Sequence, residues 1–359
     1  MFYNNQLIHE TTNGWHTICW SIGNFCNFKC PYCFDTANLG TIKAPTFNQT
    51  LVDNADHLIQ QVKRVMPKKN RLCIIFDGGE PTTWKDLPRL CGSIRERHPD
   101  VQIKLTTNGS MPVKWWEKHI QVFDRITLSC HTYEADRDLI RDIVRVARDN
   151  LVPTSTPVLV GAQNYHTACE WFANLDQELE ERYNGWTSAR LVPIRWTSRN
   201  GEFEDLTDDQ YDHLSDLYRK RQQAKRSVPF DDVSKQYNDH QFKHLEPKRF
   251  FRKNSRTLDM DFAHDEKRLR GDWIGYRCFA TQQFIQVDYD AAIRSMSCGY
   301  RLFDERISLA DPEFPNKFTM PEPIICEINA GIKCGCAGLG MSNKQITKIA
   351  KRRVKKNTA

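Results

Sequence analysis

The chain has 359 residues, of which 40% are apolar, with a formal net charge of +6 and 13 cysteines. That length accommodates one large α/β domain plus a smaller one, and without a run of 18 apolar residues a membrane span is not expected. Residues 1–15 lack the basic-then-apolar order of a signal peptide, so the chain reads as cytoplasmic, where cysteines stay reduced and serve metal ligation or burial rather than disulfides.

Six short apolar runs read as buried parallel strands: 16–23, 71–78, 101–107, 125–131, 154–161 and 188–196. Between them lie amphipathic helical patterns. Residues 51–66 place Leu51, Ala55, Leu58, Ile59 and Val62 on one face, and 135–150 do the same with Leu139, Ile140, Ile143, Val144 and Ala147. The segment 206–220 opens on Thr207 as an N-cap with acidic residues in its first turn. Strand–helix alternation predicts a parallel sheet flanked by helices. Six units are too few to close an eight-unit barrel, so the expected fold is α/β, a partial (β/α)6 barrel over residues 1–220. Residues 221–270 are charged, without a period, and read as an insertion or linker. A small cysteine-rich domain is expected over 271–340 and a basic tail over 341–359. The stretch 344–359 holds seven basic residues and no acidic one, so the tail carries the excess charge and the body is near neutral.

After the first strand, "NFCNFKCPYCFD" (24–35) carries Cys26, Cys30 and Cys33. A structural zinc site takes four ligands. Three imply a distant fourth ligand, or a site that stays open. Three thiolates can hold three irons of a [4Fe–4S] cluster and leave the fourth free for a small molecule. A loop at the C-terminal end of a barrel strand is where such folds place their chemistry.

The spacing C-x3-C-x2-C, with Tyr32 before the last cysteine, resembles the signature of the radical S-adenosylmethionine (SAM) superfamily. The resemblance implies that SAM chelates the open iron through its amine and carboxylate. It also implies that an electron, drawn from a flavodoxin- or ferredoxin-type donor, cleaves SAM to a 5′-deoxyadenosyl radical that abstracts a substrate hydrogen. "FDGGEPT" (76–82) resembles the family's GGEP motif, which assigns Gly78, Gly79 and Glu80 to the amino group of SAM; glycines let the backbone approach a ligand closely. "TTNG" (106–109) resembles the TNG motif, with Asn108 facing the mouth. "LSCHTYEADRDLIR" (128–141) is similar to the region that places Ser129 on the ribose and Arg141 on the carboxylate. "VLVGAQN" (158–164) sits where the fifth strand lines the adenine, which carries over Gly161 and Ala162. "IRWTSRNGEFEDLTDDQ" (194–210) resembles the end of strand six. Taken singly, GGEP and TNG are ordinary turns and Arg141 a solvated helix arginine. His16, His131 and His166 fall near strand ends and read as core or turn residues rather than substrate contacts.

"YRCFATQQFIQVDYDAAIRSMSC" (276–298) resembles the start of the SPASM/twitch extensions of this superfamily: a cysteine, a β-hairpin and a second cysteine. The arms are 283–289 and 291–298, turning at 288–290, with no glycine at the turn. The resemblance implies that four of Cys278, Cys298, Cys326, Cys334 and Cys336 hold an auxiliary [4Fe–4S] cluster for electron transfer; a zinc ribbon is the alternative. Cys19, Cys73, Cys91, Cys130 and Cys169 read as small buried hydrophobes.

The expected function is removal of a hydrogen from an unactivated C–H bond of a peptide side chain or a small molecule. Only about 15 residues precede the first strand, so no N-terminal leader-gripping module is expected. Two alternatives stay open. One is modification of a nucleotide, nucleic-acid base or sugar, suggested by Phe250 and Phe251 among basic residues and by the tail. The other is a non-enzymatic, zinc-bearing nucleic-acid-binding protein.

Overall fold

The computed structural model describes residues 15–33, 39–68, 70–183, 187–194, 206–225, 276–278, 284–293, 306–321, 324–325 and 344–346. Six strand–helix units follow in chain order. They are β1 (Trp15–Ile22) and α1 (Gln49–Val65), β2 (Arg71–Gly78) and α2 (Leu87–Arg97), β3 (Gln102–Thr107) and α3 (Val113–His119), β4 (Arg125–Leu128) and α4 (Arg137–Asp149), β5 (Thr154–Val160) and α5 (Tyr165–Tyr183), and β6 (Thr187–Pro193) and α6 (Asp208–Lys225). Beyond them come β7 (Tyr276–Cys278), β8 (Phe284–Val287), a four-residue α7 (Phe314–Lys317), β9 (Ile324–Ile325) and β10 (Lys344–Ile346). The main sheet has seven strands in the order β6-β5-β4-β3-β2-β1-β8. The β1–β2, β1–β8, β4–β5 and β5–β6 pairs are parallel. This is the α/β architecture of a partial barrel, extended by one strand.

That extra strand is where the sequence expectation and the structure part. The run 283–289 is expected as one arm of a hairpin, and Val287 does lie antiparallel to Ile293 across the turn. Phe284–Val287 also joins the edge of the main sheet, with Thr17 opposite Phe284 and Trp20 opposite Val287. The physical reason is twofold. The free edge of β1 offers unpaired backbone groups, and Ile285 and Val287, 1% and 0% exposed, alternate with half-exposed neighbours as a sheet edge requires. The chain does reverse just afterwards: the Asp288 N–H donates to the Ala292 carbonyl at 2.7 Å. Ala291 takes the left-handed conformation (φ 68°) where a glycine would be usual.

The chain divides into two compact units: Met1–Phe25, Gly40–Lys104 and Ala263–Ala359 form the first, Cys26–Leu39 and Leu105–Phe262 the second. In the first, Asn48 caps α1 by accepting from the Leu51 N–H at 2.9 Å, and the expected face of Leu51, Ala55, Leu58, Ile59 and Val62 is buried. Trp20 packs on Phe76, ring centroids 5.7 Å apart. In the second, Asp136 caps α4, which buries Ile140, Ile143, Val144 and Ala147 and leaves Leu139 half-exposed.

A small antiparallel sheet, β10-β7-β9, lies in the first unit, with Cys278 opposite Ile324 and Lys344. Lys344–Ile346, assigned from sequence to the tail, is therefore a paired strand. Cys298, Cys326, Cys334 and Cys336, the Phe250–Phe251 pair and residues 347–359 lie outside the described residues. No described helix is long and apolar enough to cross a membrane.

Candidate active site

In the second unit, the loop that follows β1 presents Cys26, Cys30 and Cys33 as thiols joined in no disulfide. The Cys33 N–H donates to the Cys30 carbonyl at 3.1 Å, closing a turn that keeps these two close. Cys30 is 8% exposed. Its burial pushes the thiol up to about 12, and charge on Cys33 and Cys26 pushes in the same direction. Three mutually discouraging thiols ionise together only around a cation, which a metal site supplies. Among the described residues no three His, Cys, Asp or Glu side chains gather closely enough to share one metal ion. Thiolates on three different irons of one cube stand farther apart than donors sharing an ion. The all-thiol donor set on one loop thus fits a cluster.

Two fastenings hold this loop. Asn108, 5% exposed at the end of β3, donates from Nδ2 to Asn27 Oδ1 at 3.0 Å and toward Cys26 Sγ at 3.7 Å. Its Oδ1 accepts from the Ser110 N–H at 3.0 Å, which fixes the orientation of the amide. The TNG asparagine therefore faces the cysteine loop. Gly109 beside it has φ 72°, a left-handed conformation that favours glycine.

The second fastening is aromatic. Tyr32, 7% exposed, meets His131 through an Oη···Nδ1 hydrogen bond of 2.8 Å, with the rings stacked 5.8 Å apart. Phe28 packs edge-on to His131, and the Lys29 N–H donates to Glu134 Oε1 at 3.3 Å. Burial pushes His131 down to about 4, so the ring bonded to the Tyr32 hydroxyl is neutral at pH 7. His131 is thus a satisfied histidine, as read from sequence, but one that anchors the loop. The parts played by Asn27, His131 and Glu134 were missed in the sequence. The string "CHTYE" just after β4 is the signal that carried two of them.

The remaining expected contacts fare unevenly. The Ser129 N–H donates to the Thr107 carbonyl at 2.8 Å, at the end of β4. The Gly161 N–H donates to Asn164 Oδ1 at 2.6 Å, where Ala162 opens a 3-10 turn. Arg141 pairs with Asp138 one turn earlier on α4. His166 is exposed at the start of α5. Cys130 is fully buried, its thiol pushed up to about 12 by burial, and serves as core.

The first unit holds a corner made of backbone. Gly78 lies opposite Ile22 in the sheet with φ 143°, and a Cβ there would come within 2.8 Å of the Ile22 N and O and 2.9 Å of the Gly23 O. The Gly79 N–H donates to the Gly23 carbonyl at 3.1 Å and the Glu80 N–H to the Phe25 carbonyl at 2.7 Å. Glu80 is 1% exposed, and its Oε1 accepts from the Thr82 N–H at 3.0 Å and from the Thr82 hydroxyl, capping the turn Pro81–Thr83. His16, 2% exposed, is a core residue bonded to Asn70 at 3.3 Å.

Residues 20–152 match the model of the Radical SAM superfamily. The span contains the three loop cysteines, Gly78, Gly79, Glu80, Asn108, Ser129 and Arg141, so the chain carries a Radical SAM superfamily domain. Members of that superfamily are enzymes that require a [4Fe–4S] cluster and SAM. The chain is 33% identical over 89 residues to a 7,8-dihydro-6-hydroxymethylpterin dimethyltransferase of Methanocaldococcus jannaschii, covering 24% of this chain and 16% of that protein. It is 24% identical over 219 residues to a GTP 3',8-cyclase of Haemophilus influenzae, covering 59% of this chain and 61% of that one. The chain thus spans less than two thirds of either relative. Among solved structures it is similar in fold to native anSMEcpe with bound AdoMet, with a TM-score of 0.50 at 15% identity, over 82% of this chain and 78% of that one.

Proposed function

We propose that the chain is a SAM-dependent radical enzyme that removes a hydrogen atom from an unactivated C–H bond. The observation that carries this reading is the triplet of reduced cysteines on one fastened loop, inside the span that matches the superfamily. Cys26, Cys30 and Cys33 would hold a [4Fe–4S] cluster with one iron open to SAM. When bound, that cluster supplies the electron that cleaves SAM to a 5′-deoxyadenosyl radical. The protein's own part is positional. Asn108 and the Tyr32–His131 pair hold the loop. Gly78, Gly79 and Glu80 are assigned to the amino group of SAM, Ser129 to the ribose, Arg141 to the carboxylate, Gly161 and Ala162 to the adenine, and Tyr32 to cofactor binding. Four of Cys278, Cys298, Cys326, Cys334 and Cys336 are assigned to an auxiliary [4Fe–4S] cluster for electron transfer, and a flavodoxin- or ferredoxin-type protein to the role of external donor.

The substrate class is a peptide side chain or a small molecule. A nucleotide substrate is the second reading, supported by similarity over more than half of the chain to proteins named GTP 3',8-cyclase. Metal analysis of protein purified without oxygen tests the assignment together with 5′-deoxyadenosine formation under dithionite. Iron and sulfide near ~8 each per chain are expected for two clusters. Zinc in place of iron, or no SAM cleavage, would overturn it.

A further inference from the structure

The β2-β1-β8 part of the sheet, within the first unit, has two unlike faces. On one face the aligned rows Ile74, Ile18, Ile285 and Phe76, Trp20, Val287 are all at most 1% exposed. The opposite face begins with Thr17 against Cys73, hydrogen-bonded at 3.4 Å. It continues with half-exposed Ile75, Cys19 and Gln286 in one row, and toward the C-terminal strand ends with buried Ser21 opposite half-exposed Asp77. Parallel strands enclosed on both sides are normally apolar on both. Here one face carries polar groups, at the strand ends where α/β folds bind ligands.

Asp77 is the chemical anomaly on that face. Its Oδ1 accepts from the Ser21 hydroxyl at 2.7 Å and its Oδ2 from the Cys19 thiol at 3.2 Å. No lysine, arginine or histidine among the described residues pairs with it. Burial pushes its carboxyl above the usual range. An asparagine or threonine would tie β1 to β2 without placing a charge there, so the cross-strand bonds alone do not account for a carboxylate. Each oxygen keeps a lone pair beyond its one neutral donor.

We propose that Asp77 is a substrate-binding residue, with Gln286 lining the same face, and that it receives a group bearing paired N–H donors. A guanidinium or the amidine edge of a guanine meets a carboxylate in this way, through two parallel charge-assisted hydrogen bonds. The word substrate rests on the radical-enzyme reading, but the binding does not.

Agmatine and guanosine are the probes, used in equilibrium dialysis with cluster-reconstituted, SAM-loaded protein. At least one should bind. Asp77→Asn, which keeps an acceptor for Ser21, should weaken binding by about ten- to a hundredfold. Cys19→Ala, which leaves the carboxylate and Ser21 in place, should change it by less than about twofold. Asp77→Ser serves as a second variant if the asparagine protein does not fold. Failure of both probes to bind the wild type, or equal binding by the Asp77 variants, overturns the proposal. Asp77-dependent binding in protein that cannot cleave SAM would sink the radical reading and leave this one standing.

Discussion

The cysteine loop 26–33 and the glycine corner 78–80 are built by opposite means. The loop carries its chemistry in side chains, and what holds it is also side chain: an amide from Asn108 and a Tyr32–His131 pair. The corner carries its geometry in backbone, with two main-chain hydrogen bonds and a glycine whose place no side chain can take. The difference teaches where function and fold separate. Substitution in the loop should delete chemistry and spare the fold, whereas substitution in the corner should strike the fold itself.

The largest test is the triple replacement of Cys26, Cys30 and Cys33 by Ala. Only Cys30 is deeply buried, so little packing is lost. Loss of one cluster's iron and complete loss of 5′-deoxyadenosine formation are expected, with a cooperative melt retained. A triple variant that still cleaves SAM with dithionite would break the comparison at its first term.

Gly78→Ala probes the other side. The φ of 143° and contacts of 2.8–2.9 Å against β1 backbone leave nothing flexible to move. Strain and overpacking together should cost about 2–4 kcal/mol of unfolding free energy, read by denaturant titration. Gly92, in α2, is the internal control, since nothing lies within 4 Å of its added Cβ. Gly92→Ala should be stabilising by up to about 1 kcal/mol. Equal effects at the two positions would show that the corner is not rigid.

Glu80→Ala sits between these cases, because its carboxylate is a side chain that serves the corner by capping the turn Pro81–Thr83. Loss of the cap should cost about 1 kcal/mol. Under the proposed SAM contact it should also weaken SAM binding by about tenfold or more, with iron content unchanged. Intact SAM affinity in a destabilised Glu80→Ala protein would confine Glu80 to the cap.

The sequence showed much of this and hid the rest for identifiable reasons. The six barrel strands stand out as apolar runs, and α1 and α4 repeat their buried residues over several turns. By contrast α3 has seven residues, too few for a helical period to register. β8 was visible as alternation, but its second partner was not, because nothing in four residues says that they also pair with β1, more than 250 residues earlier. The cysteines were legible from spacing alone. Their fastenings were not, since Asn108 meets Asn27 across 81 residues and Tyr32 meets His131 across 99. Side-chain pairs at such separations are set by the fold and leave no local pattern. Asp77 lay within a motif whose glycines and glutamate drew the assignment.

The smallest expected effect sharpens the comparison through pH. The corner's backbone bonds do not titrate, but the loop's aromatic fastening does. Burial lowers His131 from 6.5 to about 4, so between those values the folded chain binds fewer protons than the unfolded one. Its contribution to stability is fully present above about pH 6.5 and is lost as pH falls through the folded value near 4. The ring is partly exposed, so solvent screening reduces the effect, and on the order of 1 kcal/mol across the window is expected. A protonated His131 could still bond Tyr32 through the phenolic oxygen, but it would bring a charge against Phe28 and Tyr32. His131→Phe keeps the stacking and removes both the titration and the hydrogen bond. Unfolding free energy measured from pH 7.5 to 4.5 should therefore fall more steeply for the wild type than for His131→Phe, while at pH 7.5 the variant should be weaker by about 1 kcal/mol for the lost Tyr32 bond. Parallel profiles would mean that His131 titrates alike in the folded and unfolded chains, and that its burial adds nothing to the pH dependence of stability.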